Sequence, residues 1–171
     1  MRRRIIRQSG FTLIELLMYV TIVGSLMLSL TYLFANAADA RLKNQSITEV
    51  NDQATAMMDR MTQTIRNATS ITSPAGGASA SSLTLVVPTG ALSPTVFNLN
   101  STTLQMTEGA GAAVALNNNK VQVTSLTFKN LSRTGTIGLI QVSFTLSRVN
   151  NNTHSEYDYT KTFTSSAEII W

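Results

Sequence analysis

Few side chains in this 171-residue chain could do chemistry. Cysteine is absent, which excludes a thiol nucleophile, a thiolate metal site and any disulfide. His154 is the single histidine, so a multi-histidine metal centre is excluded as well. It follows an asparagine run that reads as a turn, and the expected position is exposed and non-catalytic. Glu108, Glu156, Asp158 and Glu168 could pair for acid/base work only if the tertiary structure brought them together. Glu156 and Asp158 lie two apart on an expected strand and share a side. That could hold a calcium ion, although a solvated strand edge is the simpler reading. No G-x-S-x-G elbow is present. Gly76-Gly77 has no Gly-Lys-Ser/Thr following it, so it is a flexible loop and not a phosphate cradle. The side chains therefore read as non-enzymatic, with no cofactor and no metal.

The informative residue is Glu15. It is the only charge in residues 11–35, an otherwise apolar run. A carboxylate at mid-bilayer costs about 2.5–3.5 kcal/mol on insertion scales and less near the headgroups. Either Glu15 is solvated at the membrane edge or it has a cationic partner. No lysine or arginine lies on the run. One cation can be created: a cut after Gly10 would leave the amino group of Phe11 as a positive charge at the helix start. In its own helix that amine also meets the positive end of the macrodipole. A neighbour's Glu15 could neutralise it if helices packed with a small axial stagger.

The elements that must position Glu15 follow from the patterning. Residues 1–10 are short and basic, with Arg2, Arg3, Arg4 and Arg7. The remaining nine basic residues balance the nine acidic ones, so the net charge of +4 belongs to the leader. The basic residues of the body are scattered and form no stripe for nucleic acid. Residues 11–35 would span about 37 Å as a helix, enough to cross about 30 Å of hydrocarbon. The basic leader should stay in the cytoplasm and send the C-terminal body out of it. From 36 to 70 the pattern stays helical but becomes amphipathic. Ile47, Val50, Ala54, Met57, Met61, Ile65 and Ala68 recur at spacings of three and four. Core packing is the expected role of the methionines.

Residues 71–171 form the expected head. Ala75 to Ser82 reads as loop. From Leu83 the period changes to two. Phe97 and Leu99 pair with Leu104 and Met106 in a hairpin around Asn100-Ser101. Asn117-Asn118-Asn119 is a turn signal. Ile140, Val142, Phe144 and Leu146 alternate with polar residues, and Tyr157, Tyr159 and Phe163 return. The fold class is α+β: a long N-terminal helix, apolar in its first half and amphipathic in its second, packed on a C-terminal antiparallel β-sheet with one buried face.

The string Gly10-Phe11-Thr12-Leu13-Ile14-Glu15-Leu16-Leu17 resembles the prepilin cleavage motif of type IV pilins and type II secretion pseudopilins. The basic leader, the glycine, the phenylalanine and the glutamate five residues past the glycine all match, and a long apolar helix follows at once. The resemblance covers about residues 2–36. It implies cleavage between Gly10 and Phe11 by a prepilin peptidase and N-methylation of Phe11. It also implies assembly through Glu15 and a neighbour's Phe11 amine. The implied partners are the peptidase, other pilin or pseudopilin subunits and an inner-membrane assembly platform. The implied location is a single-pass membrane protein with its head outside the cytoplasm, then a pilus or pseudopilus. Met58 to Ala68 is similar to the end of the long helix in minor pilins and J-type minor pseudopilins. The absence of a mid-helix proline and of a C-terminal disulfide departs from many major pilins. Two other readings compete. A signal-anchored binding domain that never polymerises explains the helix but not the motif. A secreted protein cut after Ala37, at Ala35-Asn36-Ala37, conflicts with the length of the apolar run and with Glu15.

Overall fold

The computed structural model describes residues 10–133, 138–150 and 158–170. The arginines of the leader, His154, Glu156 and Tyr157 lie outside the described residues. Among the described residues one α-helix, α1 (Leu13–Arg66), leads into nine strands. The chain divides into two compact units, 1–41 and 42–171.

The described part of the first unit is helix from Leu13 onward, and its side chains are exposed or, at Glu15, half-exposed. Thr12 starts it: its Oγ1 accepts from the Glu15 amide at 3.4 Å, and its carbonyl accepts from the amides of Glu15 and Leu16 at 3.1 and 3.2 Å. Apolar side chains from Leu13 to Phe34 are exposed. The polar residues among them turn inward on the backbone. The hydroxyls of Thr21, Ser25, Ser29 and Thr31 donate to carbonyls three or four residues back at 2.8–3.0 Å. Such bonds pair these four hydroxyls within the helix, as a segment in hydrocarbon would require. The helix passes through Gly24 without a break, and no proline interrupts its ladder.

In the second unit α1 buries a stripe of Ser46, Val50, Ala54, Met57, Met61 and Ile65, with Ala68 just beyond its end. The expected stripe held Ile47 in place of Ser46. Ile47 is half-buried, and Ser46 is tolerated inside because its hydroxyl donates to the Leu42 carbonyl at 3.1 Å. The helix ends at Arg66, short of the expected residue 69 or 70. There the chain peels away to pair with a strand: the Thr69 amide donates to the Val86 carbonyl at 2.7 Å. The Ile170 amide takes up the freed Arg66 carbonyl at 3.1 Å.

The strands form two antiparallel sheets where one was expected. The first runs β1-β3-β4-β5-β6 and the second β2-β7-β8-β9. Their ranges are β1 (Ser70–Ser73), β2 (Ser79–Ala80), β3 (Leu83–Val86), β4 (Thr95–Asn100), β5 (Thr103–Glu108), β6 (Val114–Ala115), β7 (Val121–Asn130), β8 (Leu139–Arg148) and β9 (Thr160–Glu168). β4 and β5 make the expected hairpin, with Leu99 opposite Leu104 and Phe97 opposite Met106. β2 lies inside the segment expected to be loop and pairs with β7. A bulge between Val123 and Ser125 explains why the buried parity in β7 switches from Val121 and Val123 to Leu126 and Phe128. Phe163 on β9 stacks on Phe144, with centroids 5.8 Å apart.

Asn117 joins the two sheets. Its Oδ1 accepts from the Leu104 amide at 2.8 Å, and its Nδ2 donates to the Val121 carbonyl at 2.9 Å. Asn118 ties the same corner to α1 by donating to Glu49 at 2.7 Å. Both sheets and the helical stripe contribute to one core, in which Phe97 and Phe128 lie with centroids 6.5 Å apart.

Candidate assembly site on the N-terminal helix

Gly10, Phe11 and Glu15 fall together at the start of α1. Gly10 is exposed, and a Cβ added there would meet no atom within 4 Å. The fold itself therefore does not demand glycine at this position. Phe11 is 70% exposed, and its ring meets that of Tyr19 with centroids 5.7 Å apart. Glu15 is half-exposed and accepts a hydrogen bond from the Tyr19 hydroxyl at 3.5 Å. Thr12 and Glu15 stand at the N-cap and third helical positions, the spacing of a capping box. That spacing was legible in the sequence and gives Glu15 a second, local role: its charge favours the positive end of the helix.

Glu156 lies outside the described residues, and the other candidate carboxylates that are described do not form a centre. Glu108 pairs with Arg60 at 3.1 Å on the surface. Asp158 accepts from Asn150 Nδ2 at 2.8 Å. Glu168 is exposed on β9, opposite Leu139. Among the described residues, no three histidines, cysteines, aspartates or glutamates gather in a metal-binding cluster. An open groove of about 440 Å³ lies beside the Arg60–Glu108 pair, lined also by Thr64, Val87 and Leu92.

Glu49 was not singled out from the sequence. The Asn118 hydrogen bond holds its carboxyl below the usual value, burial opposes this, and the Lys120 and Arg148 charges reinforce it. Lys120 Nζ stands 3.5 Å from Glu49 Oε2. The acceptor role depends on residues about seventy positions away, so no local pattern announces it.

Residues 5–31 match the family model of the prokaryotic N-terminal methylation motif. Of that stretch the structure describes 10–31, which begins the one helix among the described residues long and apolar enough to cross a membrane. The motif, with an exposed apolar helix continuing into an α+β body, supports the class of pilin-type subunits. The match supports the type IV pilin and type II secretion pseudopilin family. In general terms the motif implies a prepilin peptidase and other pilus subunits as partners. No curated protein and no solved structure matches the chain.

Proposed function

We propose that this chain is a structural subunit of a type IV pilus or a type II secretion pseudopilus. Residues 1–10 are its leader, 11–35 its membrane and filament-core helix, 36–70 its amphipathic helix and 71–171 its head. A prepilin peptidase on the cytoplasmic side cuts between Gly10 and Phe11, and the new Phe11 amine is methylated. The head stands outside the cytoplasm, as the basic leader directs. The observation that carries this reading is the methylation motif at 5–31, which leads into a helix whose apolar side chains from Leu13 to Phe34 are exposed.

Assembly moves the apolar helix from lipid into a bundle of like helices. Lipid is as apolar as that bundle, so burial supplies little drive. Close packing and a pair between Glu15 and a neighbour's Phe11 amine supply the specificity. The similarity of Met58 to Ala68 to the helix ends of minor pilins and J-type minor pseudopilins supports a minor subunit.

The test is intact-mass and N-terminal analysis of the protein extracted from its host membrane, with filament incorporation measured beside it. The expected chain starts at Phe11 and carries one methyl group on its amine. Glu15→Val should be cut normally and incorporated poorly. A chain that starts at Met1 refutes the processing and favours a signal-anchored domain. Normal incorporation of Glu15→Val refutes the charge pair.

A further inference from the structure

Tyr19 touches both members of the proposed pair at once. Its hydroxyl donates to Glu15 Oε1 at 3.5 Å. Its ring meets the Phe11 ring with centroids 5.7 Å apart and planes tilted by 56°. Residues 15 and 19 are one turn apart on α1, so their side chains share a face. Phe11 precedes the helix, and its ring reaches back across that same face. Phe11 and Tyr19 are both more than half exposed. The cluster therefore looks outward, where lipid or a neighbouring helix would meet it.

The other hydroxyls set this contact apart. Thr21, Ser25, Ser29 and Thr31 all donate to main-chain carbonyls of their own helix. Tyr19 donates to a side chain instead, and to the only carboxylate of residues 11–35. An ionised acceptor strengthens an O–H donor's bond, most of all where water is excluded.

We infer that Tyr19 is a positioning residue for assembly: its hydroxyl orients the Glu15 carboxylate while its ring holds Phe11 on the same helix face. The phenol occupies one carboxylate oxygen, Oε1. The second oxygen is left to accept from an ammonium. At 3.5 Å the bond is long, so it biases the Glu15 rotamer and does not lock it. This inference rests on the assembly reading above, and it adds a residue that the cleavage motif does not include.

The experiment uses the full chain in its native host. Tyr19→Phe keeps the ring contact with Phe11 and removes only the donor. Its incorporation into sheared filaments should fall about three- to tenfold, the range of one net hydrogen bond. Cleavage after Gly10 should be unchanged. A second readout follows Glu15 directly, through its side-chain carboxyl carbon resonance in detergent, assigned by its loss in Glu15→Gln. Tyr19→Phe should move that resonance, and Tyr32→Phe, farther along the helix, should not. A resonance unmoved by Tyr19→Phe, or incorporation within twofold of the parent, overturns the inference while a parent chain starting at Phe11 leaves the assembly reading standing. A parent chain starting at Met1 overturns both.

Discussion

Met61→Ala tests whether the helical stripe holds the body together. Met61 is fully buried, one turn from both Met57 and Ile65, in the core shared by the two sheets. Truncation removes three heavy atoms from close packing and leaves a cavity. Such a change costs about 2–5 kcal/mol, depending on how far the site collapses. Two features favour collapse. Met57 is buried on the same stripe, Met58 packs against the same core from a half-buried position, and both side chains are unbranched and adaptable. The lower half of the range, about 2–3 kcal/mol, is therefore expected. For a unit of about 130 residues the unfolding entropy is about 0.27 kcal/mol per kelvin, so Tm should drop by about 7–11 °C. Near-UV circular dichroism of the detergent-solubilised chain reads this, because the packed phenylalanines lose their fixed surroundings while the apolar helix stays helical. Asp59→Ala, on the exposed face two residues away, is the control and should move Tm by less than about 2 °C. Equal shifts for the two variants would refute the claim that this face, packed on the sheets, holds the unit.

Two further outcomes follow from the same body. The Asn118 hydrogen bond depresses the Glu49 carboxyl, so its stabilising contribution is complete above the ordinary carboxylate value of about 4.5 and fades as pH falls through the lower folded value. Thermal melts from pH 7 to 3 should show part of the acid destabilisation vanish in Glu49→Gln, and an unchanged pH profile would remove this carboxylate from the account. Gly109 has φ +55, and a Cβ there would strike the Ala91 carbonyl, while its amide donates to the carbonyls of Leu92 and Pro94 at 3.1 and 3.0 Å. Gly109→Ala should therefore cost about 1–3 kcal/mol and loosen the connection between β3 and β4, seen as faster proteolysis near residue 92. Parent-like protease resistance would show that the corner can shift at no cost.

What the sequence determined by itself is what short-range sterics and periodicity encode. The positioned glycine, phenylalanine and glutamate at 10, 11 and 15 mark the motif, and the methylation-motif match falls on the same residues. The helical stripe was legible because the 3.6-residue period fixes which side chains share a face. Val50, Ala54, Met57, Met61 and Ile65 are all inside. The β4–β5 hairpin and β8 were legible because alternation has a period of two and the turn residues sit between the strands. Tertiary structure decided the rest. Ser46 entered the core in preference to Ile47 because the approach of the sheets, not hydrophobicity, sets where the buried face begins. Ser79–Ala80 became a strand because β7 offered it a partner, and pairing between distant backbones leaves no mark on two small residues. The division into two sheets, the Asn117 staple and the Glu49 acceptor all depend on hydrogen bonds between residues far apart in the chain. Backbone groups are alike at every position, so which of them meet is settled only when the whole chain packs.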